Sequence, residues 1–299
     1  MHLRKEHAEL DAPALHGFIR ANPLGLLTTA VPSQSSAFPL LQSTHVPFIL
    51  DIDEHDTSAP SPPPLGRLRG HIARQNPQAR ALIEALTSTA GDGDEHGLNG
   101  NSKANDNDNV LAQEVLVVFT SPVQHYITTN FYHETMSSDR RTAPTWNYAA
   151  AQVYGRLRVH HDADAPSTTA FLAQQLRDLA RLGETHIMGY PDATAAAAAT
   201  DAAAAPPKSS GTDKAAWRLD DAPHGYVKRS MRGIVGLEIE IVRLEGRVKM
   251  SQELRDGDRE GVVRGLRALK TETAERMAAL VEERAALKAA GRAVDAVSS

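Results

Sequence analysis

Three short stretches concentrate side chains able to hold or transform a ligand. The first is Arg69-Gly70-His71-Ile72-Ala73-Arg74-Gln75-Asn76-Pro77, where an alternating strand runs into a helix start. Free backbone N–H groups and the dipole at a helix N-terminus favour a bound anion. Arg74, with Arg69 or His71, can add charge-assisted hydrogen bonds to a phosphate. The same residues also read as a capped helix with solvated arginines. The second stretch, Pro144-Thr145-Trp146-Asn147-Tyr148, sets hydroxyl, amide and phenol groups beside flat aromatic surface, which suits a planar heterocycle. Its alternative is a loop that plugs a core edge with the indole. The third, Glu245-Gly246-Arg247-Val248-Lys249-Met250-Ser251-Gln252, turns at Glu245-Gly246. Strand alternation then places Arg247, Lys249 and Ser251 on one face. An exposed hairpin arm would look the same.

Other chemistries find no support. The 299 residues contain no cysteine, which excludes disulfides, thiolate metal sites and a cysteine nucleophile. Asp92-Gly93-Asp94-Glu95-His96-Gly97 imitates the start of a calcium loop, but its twelfth position is Lys103 where a bidentate Glu is needed. No pair among the 13 histidines has metal-ligand spacing with an acidic third ligand, and His160-His161 point apart on a strand. No metal is expected. A net charge of −5 supplies no field toward nucleic acid or anionic lipid. Met1 to His7 lead straight into charged residues, and no apolar run reaches membrane-spanning length, so a cytoplasmic protein without a membrane partner is expected.

The elements that must position these stretches follow from periodicity. Asp11-Ala12-Pro13 starts a helix whose face carries Leu15, Phe18 and Ile19. Leu24–Ala30 is a buried strand. His45–Leu50 is a second, with Pro47 at an edge or bulge. In Gly66–Ile72, Leu68, Gly70 and Ile72 face one way, and Arg67, Arg69 and His71 the other. Asn76-Pro77 opens a helix bearing Leu82, Ile83 and Leu86. Val115–Phe119 is a strand, with Val123–Thr129 expected to pair with it. Ala151–Val159 and Ile234–Leu244 alternate, with an amphipathic helix over Pro166–Leu182 between them. Asp256–Val297 is one long helix whose seven-residue register (Leu266, Thr273, Leu280, Leu287) allows either a short coiled coil or packing on the chain's own barrel. Two polar or alanine-rich stretches, near 88–109 and 192–214, cannot bury enough apolar surface to offset ordering and are expected to be mobile insertions.

Taken in order, the motifs resemble the PaiB-type family of FMN-binding negative transcriptional regulators. The likeness is carried by RANPLGLLTT (Arg20–Thr29), THVPF (Thr44–Phe48) and LGRLRGHIARQNP (Leu65–Pro77). It continues through VVF (Val117–Phe119), QHYITTNFY (Gln124–Tyr132), PTWNY (Pro144–Tyr148) and DDAP (Asp220–Pro223), and ends on GIVGLEIEI (Gly233–Ile241) and EGRVKMSQ (Glu245–Gln252). The usual KWKLSQN of the family stands here as Arg247-Val248-Lys249-Met250-Ser251-Gln252-Glu253. The usual Ser-Pro-Ser-Trp-Tyr stands as Thr128-Thr129-Asn130-Phe131-Tyr132.

The resemblance implies a mainly β fold with α additions. This would be an FMN-binding split β-barrel of Greek-key type over residues 1–255, related to the pyridoxine phosphate oxidases, with flanking helices and a C-terminal helical extension over 256–299. It implies a homodimer with FMN near the subunit interface. It assigns the flavin phosphate to His71, Ala73 and Arg74, counts Arg69 and Ile72 among the cofactor-binding residues, and places Thr145, Trp146 and Asn147 by the flavin. His45, Lys249, Ser251 and Gln252 complete the set; no catalytic residue is named. Three activities stay open: a flavin-dependent oxidoreductase acting on a small molecule, a regulator sensing flavin or redox state, and a non-catalytic flavin-binding adaptor. The acidic charge and the lack of an evident recognition helix argue against direct DNA contact.

Overall fold

The computed structural model describes residues 1–52, 65–89, 109–138, 141–192, 214–223 and 225–297. Most of both expected insertions, and the calcium-loop mimic, lie outside them. In chain order the first elements are β1 (Ala8–Glu9), α1 (Ala12–Ala21), β2 (Leu24–Ala30), β3 (Leu41–Pro47), β4 (Ile49–Asp51), β5 (Arg67–Ala73) and α2 (Pro77–Thr89). Then come β6 (Val110–Thr120), β7 (His125–Ile127), α3 (His133–Ser138), β8 (Thr145–His160) and α4 (Pro166–Arg181). The last are α5 (Tyr226–Met231), β9 (Ile234–Lys249), α6 (Asp256–Ala268) and α7 (Glu272–Val297). The chain divides into two units: unit 1 is Met1–Asn22, Val118–Val153 and Arg243–Ser299, and unit 2 is Pro23–Val117 and Tyr154–Val242.

Unit 2 is a closed barrel. Its strands follow the order β3-β2-β6-β8-β9-β5-β4, and β3 and β4 are one chain segment interrupted only at Phe48. The first half of that segment pairs with β2 and the second half with β5, both antiparallel, so the two ends of the order meet. Pro47 ends β3 where pairing changes hands, as its missing N–H requires. The Phe48 N–H then donates to the Pro23 carbonyl at 2.9 Å. The first three barrel strands and the last three are each sequential neighbours, with α2 carried in the crossing from β5 to β6, a Greek-key arrangement. Inside lie Leu27, Val46, Phe48, Leu68, Ile72, Leu237 and Ile239, all buried. Gly70 is required here because a Cβ would stand 2.8 Å from Val46 and 3.0 Å from the Phe48 ring. The Asn76 side chain caps α2 by accepting from the Gln78 N–H at 2.8 Å. Gln78 itself is buried and donates to Thr29 at 2.9 Å, fastening α2 to the barrel.

Unit 1 revises three expectations. First, β7 pairs with the start of β8, with Ile127 opposite Thr145, and not with β6. Ser121 N–H still donates to Ala149 at the end of β6, and after Pro122 the chain resumes along β8. β7 is thus β6 resumed after a bulge. Second, there is no turn at Glu245-Gly246, because β9 runs unbroken to Lys249. Gly246 serves close approach, lying under Leu15 and opposite Glu9 of β1. Third, the tail is two helices. Lys270 takes a left-handed φ of 53°, and the Thr271 hydroxyl accepts the Ala274 N–H to start α7. Ala274, Met277, Ala278 and Val281 are buried with Val123, Ile127 and Met250. The tail therefore packs on its own unit through an i, i+3, i+4, i+7 face, while Thr273 and Leu287 of the expected register are exposed. Helix α1 begins as expected, with the Asp11 carboxylate accepting the Ala14 N–H at 2.9 Å.

Candidate functional site

In unit 2 two of the quoted motifs meet. The Asn76 amide donates to the Thr44 hydroxyl at 3.1 Å, which joins THVPF on β3 to the turn between β5 and α2. His45 and Ala73 are exposed on these elements. The Arg74 guanidinium is fixed by backbone carbonyls, donating to His161 at 2.5 Å and to Arg232 at 3.1 Å. Carbonyls orient a guanidinium without cancelling its charge. Arg74 lines an open pocket of about 820 Å3 whose other walls include Phe38, Gln75, Arg80 and Glu84. Arg80 stands over the Phe38 ring, 5.2 Å from its centroid. Glu84, the acid among these five residues, is engaged by the Ser35 N–H at 2.8 Å and by the Ser33 and Ser35 hydroxyls. The Ser35 N–H, with these hydroxyls, holds its carboxyl below the usual range. A pocket with two guanidiniums, an aromatic ring and a tethered carboxylate fits a phosphate carried by a planar molecule.

Three neighbouring candidates are already engaged within the chain. Ile72 turns its side chain into the barrel core, so only its backbone remains for a ligand. Arg69 lies between Asp51 and Asp178, bonded to both carboxylates through Nε and Nη2 and at 2.8 Å from the second, and only its Nη1 is without a partner among the described residues. His71 directs Nδ1 to the Gln175 amide oxygen at 2.7 Å. Asp178 and Gln175 belong to α4, as does Phe171, whose ring stacks on His160 with centroids 3.9 Å apart. The outer faces of β5 and β8 are thus covered by α4 through polar and stacked contacts. Arg69 and His71 make that attachment. Strand alternation correctly put them outside the barrel, but could not show that a helix covers that face.

Burial lowers the His71 pKa from its ordinary value of 6.5, against the opposing hydrogen bond to Gln175, and burial followed by the Arg74 charge does the same to His161. The folded state therefore resists a proton that the unfolded chain accepts. The stability this contributes is whole above about pH 6.5 and declines as pH falls below it. Thermal unfolding followed from pH 7.5 to 5.5 should show a falling midpoint, and His71→Gln should flatten that slope. An equal slope in the variant would remove His71 from the cause.

In unit 1 the other two stretches converge. Lys249 donates to the Thr145 hydroxyl, and its ammonium lies 3.7 Å from Glu253. Burial, opposed by Glu253, lowers the Lys249 pKa. Asn147 is fully buried and donates to the Ser251 hydroxyl at 2.8 Å, while its own Oδ1 has no hydrogen-bond partner. Ser251 is held at a φ of 60°. Gln252 is consumed within the chain: Oε1 accepts the Met250 N–H at 2.6 Å, and Nε2 donates to Glu6 and Val248. It is a clamp for the N-terminal segment. Trp146, 49% exposed, meets Tyr126 edge to face with centroids 6.1 Å apart, and donates to Gln124 at 3.1 Å. The two exposed aromatics, with Thr145 between them and Lys249, are the members open to a ligand.

Sequence reasoning missed Phe38, Arg80 and Tyr126. Nothing local marks Phe38 or Arg80, which are 42 positions apart and face each other only through the barrel's folding. Tyr126 lay within a quoted motif, but needed the β7–β8 register to reach Trp146. Among the described residues, no cluster of three metal-ligating side chains is present, and no helix is long and apolar enough to cross a membrane.

A family model described as "Putative FMN-binding domain" matches residues 1–243. An uncharacterised protein of Aspergillus fumigatus is 43% identical over 289 residues, covering 96% of this chain and 99% of the relative. The protease synthase and sporulation protein PAI 2 of Bacillus subtilis is 22% identical over 285 residues, covering 95% and 98%. Among solved structures, the flavocytochrome Anf3 of Azotobacter vinelandii aligns over 83% of this chain and 72% of its own, with 11% identity and a TM-score of 0.41.

Proposed function

The chain belongs to the FMN-binding domain family whose model spans its first 243 residues, and from that premise we propose that it is a flavin-dependent oxidoreductase acting on a small molecule. The observation that carries the cofactor half of this reading is Arg74, a guanidinium oriented by carbonyls and lining an open pocket with Arg80. Arg74 and Arg80 would hold the phosphate, with Gln75 beside them. His45 and Ala73 are exposed next to this turn. In unit 1, Trp146 and Tyr126 offer ring surface, and Lys249, paired with Glu253, holds the Thr145 hydroxyl beside them. Each set is a separate expectation. When bound, FMN supplies the electron chemistry, and the protein supplies orientation and electrostatics. We further propose a cytoplasmic homodimer with the flavin near the subunit interface.

The test is anaerobic titration of the FMN-loaded protein with NADH and NADPH, followed at the flavin absorption band. Bleaching within the mixing time or minutes, restored by air, is the expected result. A flavin reduced by dithionite but by neither nicotinamide cofactor would favour the second reading, a regulator that senses flavin or redox state. That second reading draws on the motifs shared with the PaiB-type family of negative transcriptional regulators. The net charge of −5 directs it toward a protein partner and away from direct DNA contact.

A further inference from the structure

Unit 2 carries another cavity, of about 240 Å3, between α4 and the segment Ala216–Asp221, sharing no lining residue with the Arg74 pocket. Backbone bonds fix its walls. Ala216 N–H donates to the Pro191 carbonyl at 3.1 Å, and Trp217 N–H to the Glu184 carboxylate at 3.2 Å. At this end α4 widens into a π-helical turn over Leu182–Ile187, a departure that recurs at functional sites. Trp217 lines the cavity and is 46% exposed, an unusual position for an indole. Arg177, Arg181 and Arg218 line it as well, and none of the three is ion-paired with a carboxylate among the described residues. Three acids line the cavity, Asp178, Asp192 and Asp220, and Asp178 is bonded to Arg69. Glu184 takes the Trp217 N–H, and Asp220 is the acceptor for the ligand.

We propose that this cavity binds a nucleoside monophosphate. The indole face takes the base, Arg181 and Arg218 take the phosphate, and the Asp220 carboxylate accepts from the sugar hydroxyls. The volume encloses the phosphate and sugar, and the base lies over the exposed indole at the cavity's opening. That volume is below the usual range for sites that enclose a larger ligand. This site stands independently of the flavin reading.

Titration calorimetry of the full-length, FMN-loaded protein with AMP, adenosine and inorganic phosphate tests it. AMP should bind, with adenosine and phosphate each at least about tenfold weaker, since each lacks one half of the contacts. Arg181→Gln and Arg218→Gln should each weaken AMP by roughly tenfold or more, and Trp217→Ala should also weaken it, all with flavin content unchanged. Absence of AMP binding at millimolar concentration overturns the proposal. So does AMP affinity untouched by both Gln variants, or phosphate binding as tightly as AMP. Should a Gln variant lose its flavin, the matching Lys variant decides. AMP affinity kept within about threefold supports a charge contact, and a tenfold loss overturns it.

Discussion

Arg74→Ala is expected to weaken FMN binding by roughly 10- to 150-fold, the loss of one charge-assisted hydrogen bond worth about 1.5–3 kcal/mol. Two effects compete in that variant. Alanine removes a cation from the Arg74–Arg80 pocket, and it also strips donors from the His161 and Arg232 carbonyls. Riboflavin separates them, because it shares the ring and lacks the phosphate. If Arg74 recognises the phosphate, riboflavin binds wild type and variant equally weakly, while FMN falls. If the damage is to the barrel, both ligands lose the same factor. Arg80→Ala offers an independent check, since Arg80 is exposed on α2 and stands over the Phe38 ring. It should weaken FMN with no effect on riboflavin. Equal FMN affinity in wild type and Arg74→Ala would remove the phosphate assignment altogether.

Much of the barrel was legible because strand alternation reports directly which side chains are inside. Leu68, Gly70 and Ile72 are buried as their spacing requires, and β2 spans the seven residues read from the sequence. What failed was inference about partners. A strand's sequence says which face is apolar, but not which neighbour lies along its edge, so β7 was set against β6 when it continues along β8. A glycine after a Glu reads as a turn, yet Gly246 is extended and serves packing against Leu15. The candidate site divided along the same line. Arg74 lines an open pocket, as its place before the helix start suggested. Arg69 and His71, in the same motif, are occupied by Asp51, Asp178 and Gln175, which lie 18, 109 and 104 positions away in sequence. A polar residue on an outer strand face can meet water, a ligand or a helix, and only tertiary structure chooses among them.

Gly261→Ala should destabilise the protein even though helix propensity favours it. Gly261 lies inside α6, where exchanging glycine for alanine gains about 1 kcal/mol in an exposed helix. Here the added Cβ would overlap the Phe131 carbonyl oxygen and stand 2.7 Å from the His133 ring. Gly265, one turn later, would meet the Phe131 ring in the same way, so the pair forms a groove in α6 that seats Phe131. Backbone oxygen cannot rotate away as a side chain can, and α6 is pinned at its start. The Asp258 carboxylate accepts the Glu134 and Thr135 N–H groups at 2.8 and 3.0 Å, while Gly257 N–H donates to Glu134. Helix and loop must therefore separate to admit the methyl group. Overpacking of this kind costs about 1–3 kcal/mol and more where backbone has to move, which exceeds the propensity gain. Chemical denaturation should give a lower midpoint with the slope unchanged, a net loss of up to about 2 kcal/mol once the propensity gain is subtracted. Phe131→Ala added to Gly261→Ala should recover little, because the obstructing atom is main chain. By contrast, Phe131→Ala added to Gly265→Ala should recover much of that variant's overpacking penalty, because there the obstacle is the ring. A Gly261→Ala protein as stable as wild type would show that α6 is free to shift away from Phe131.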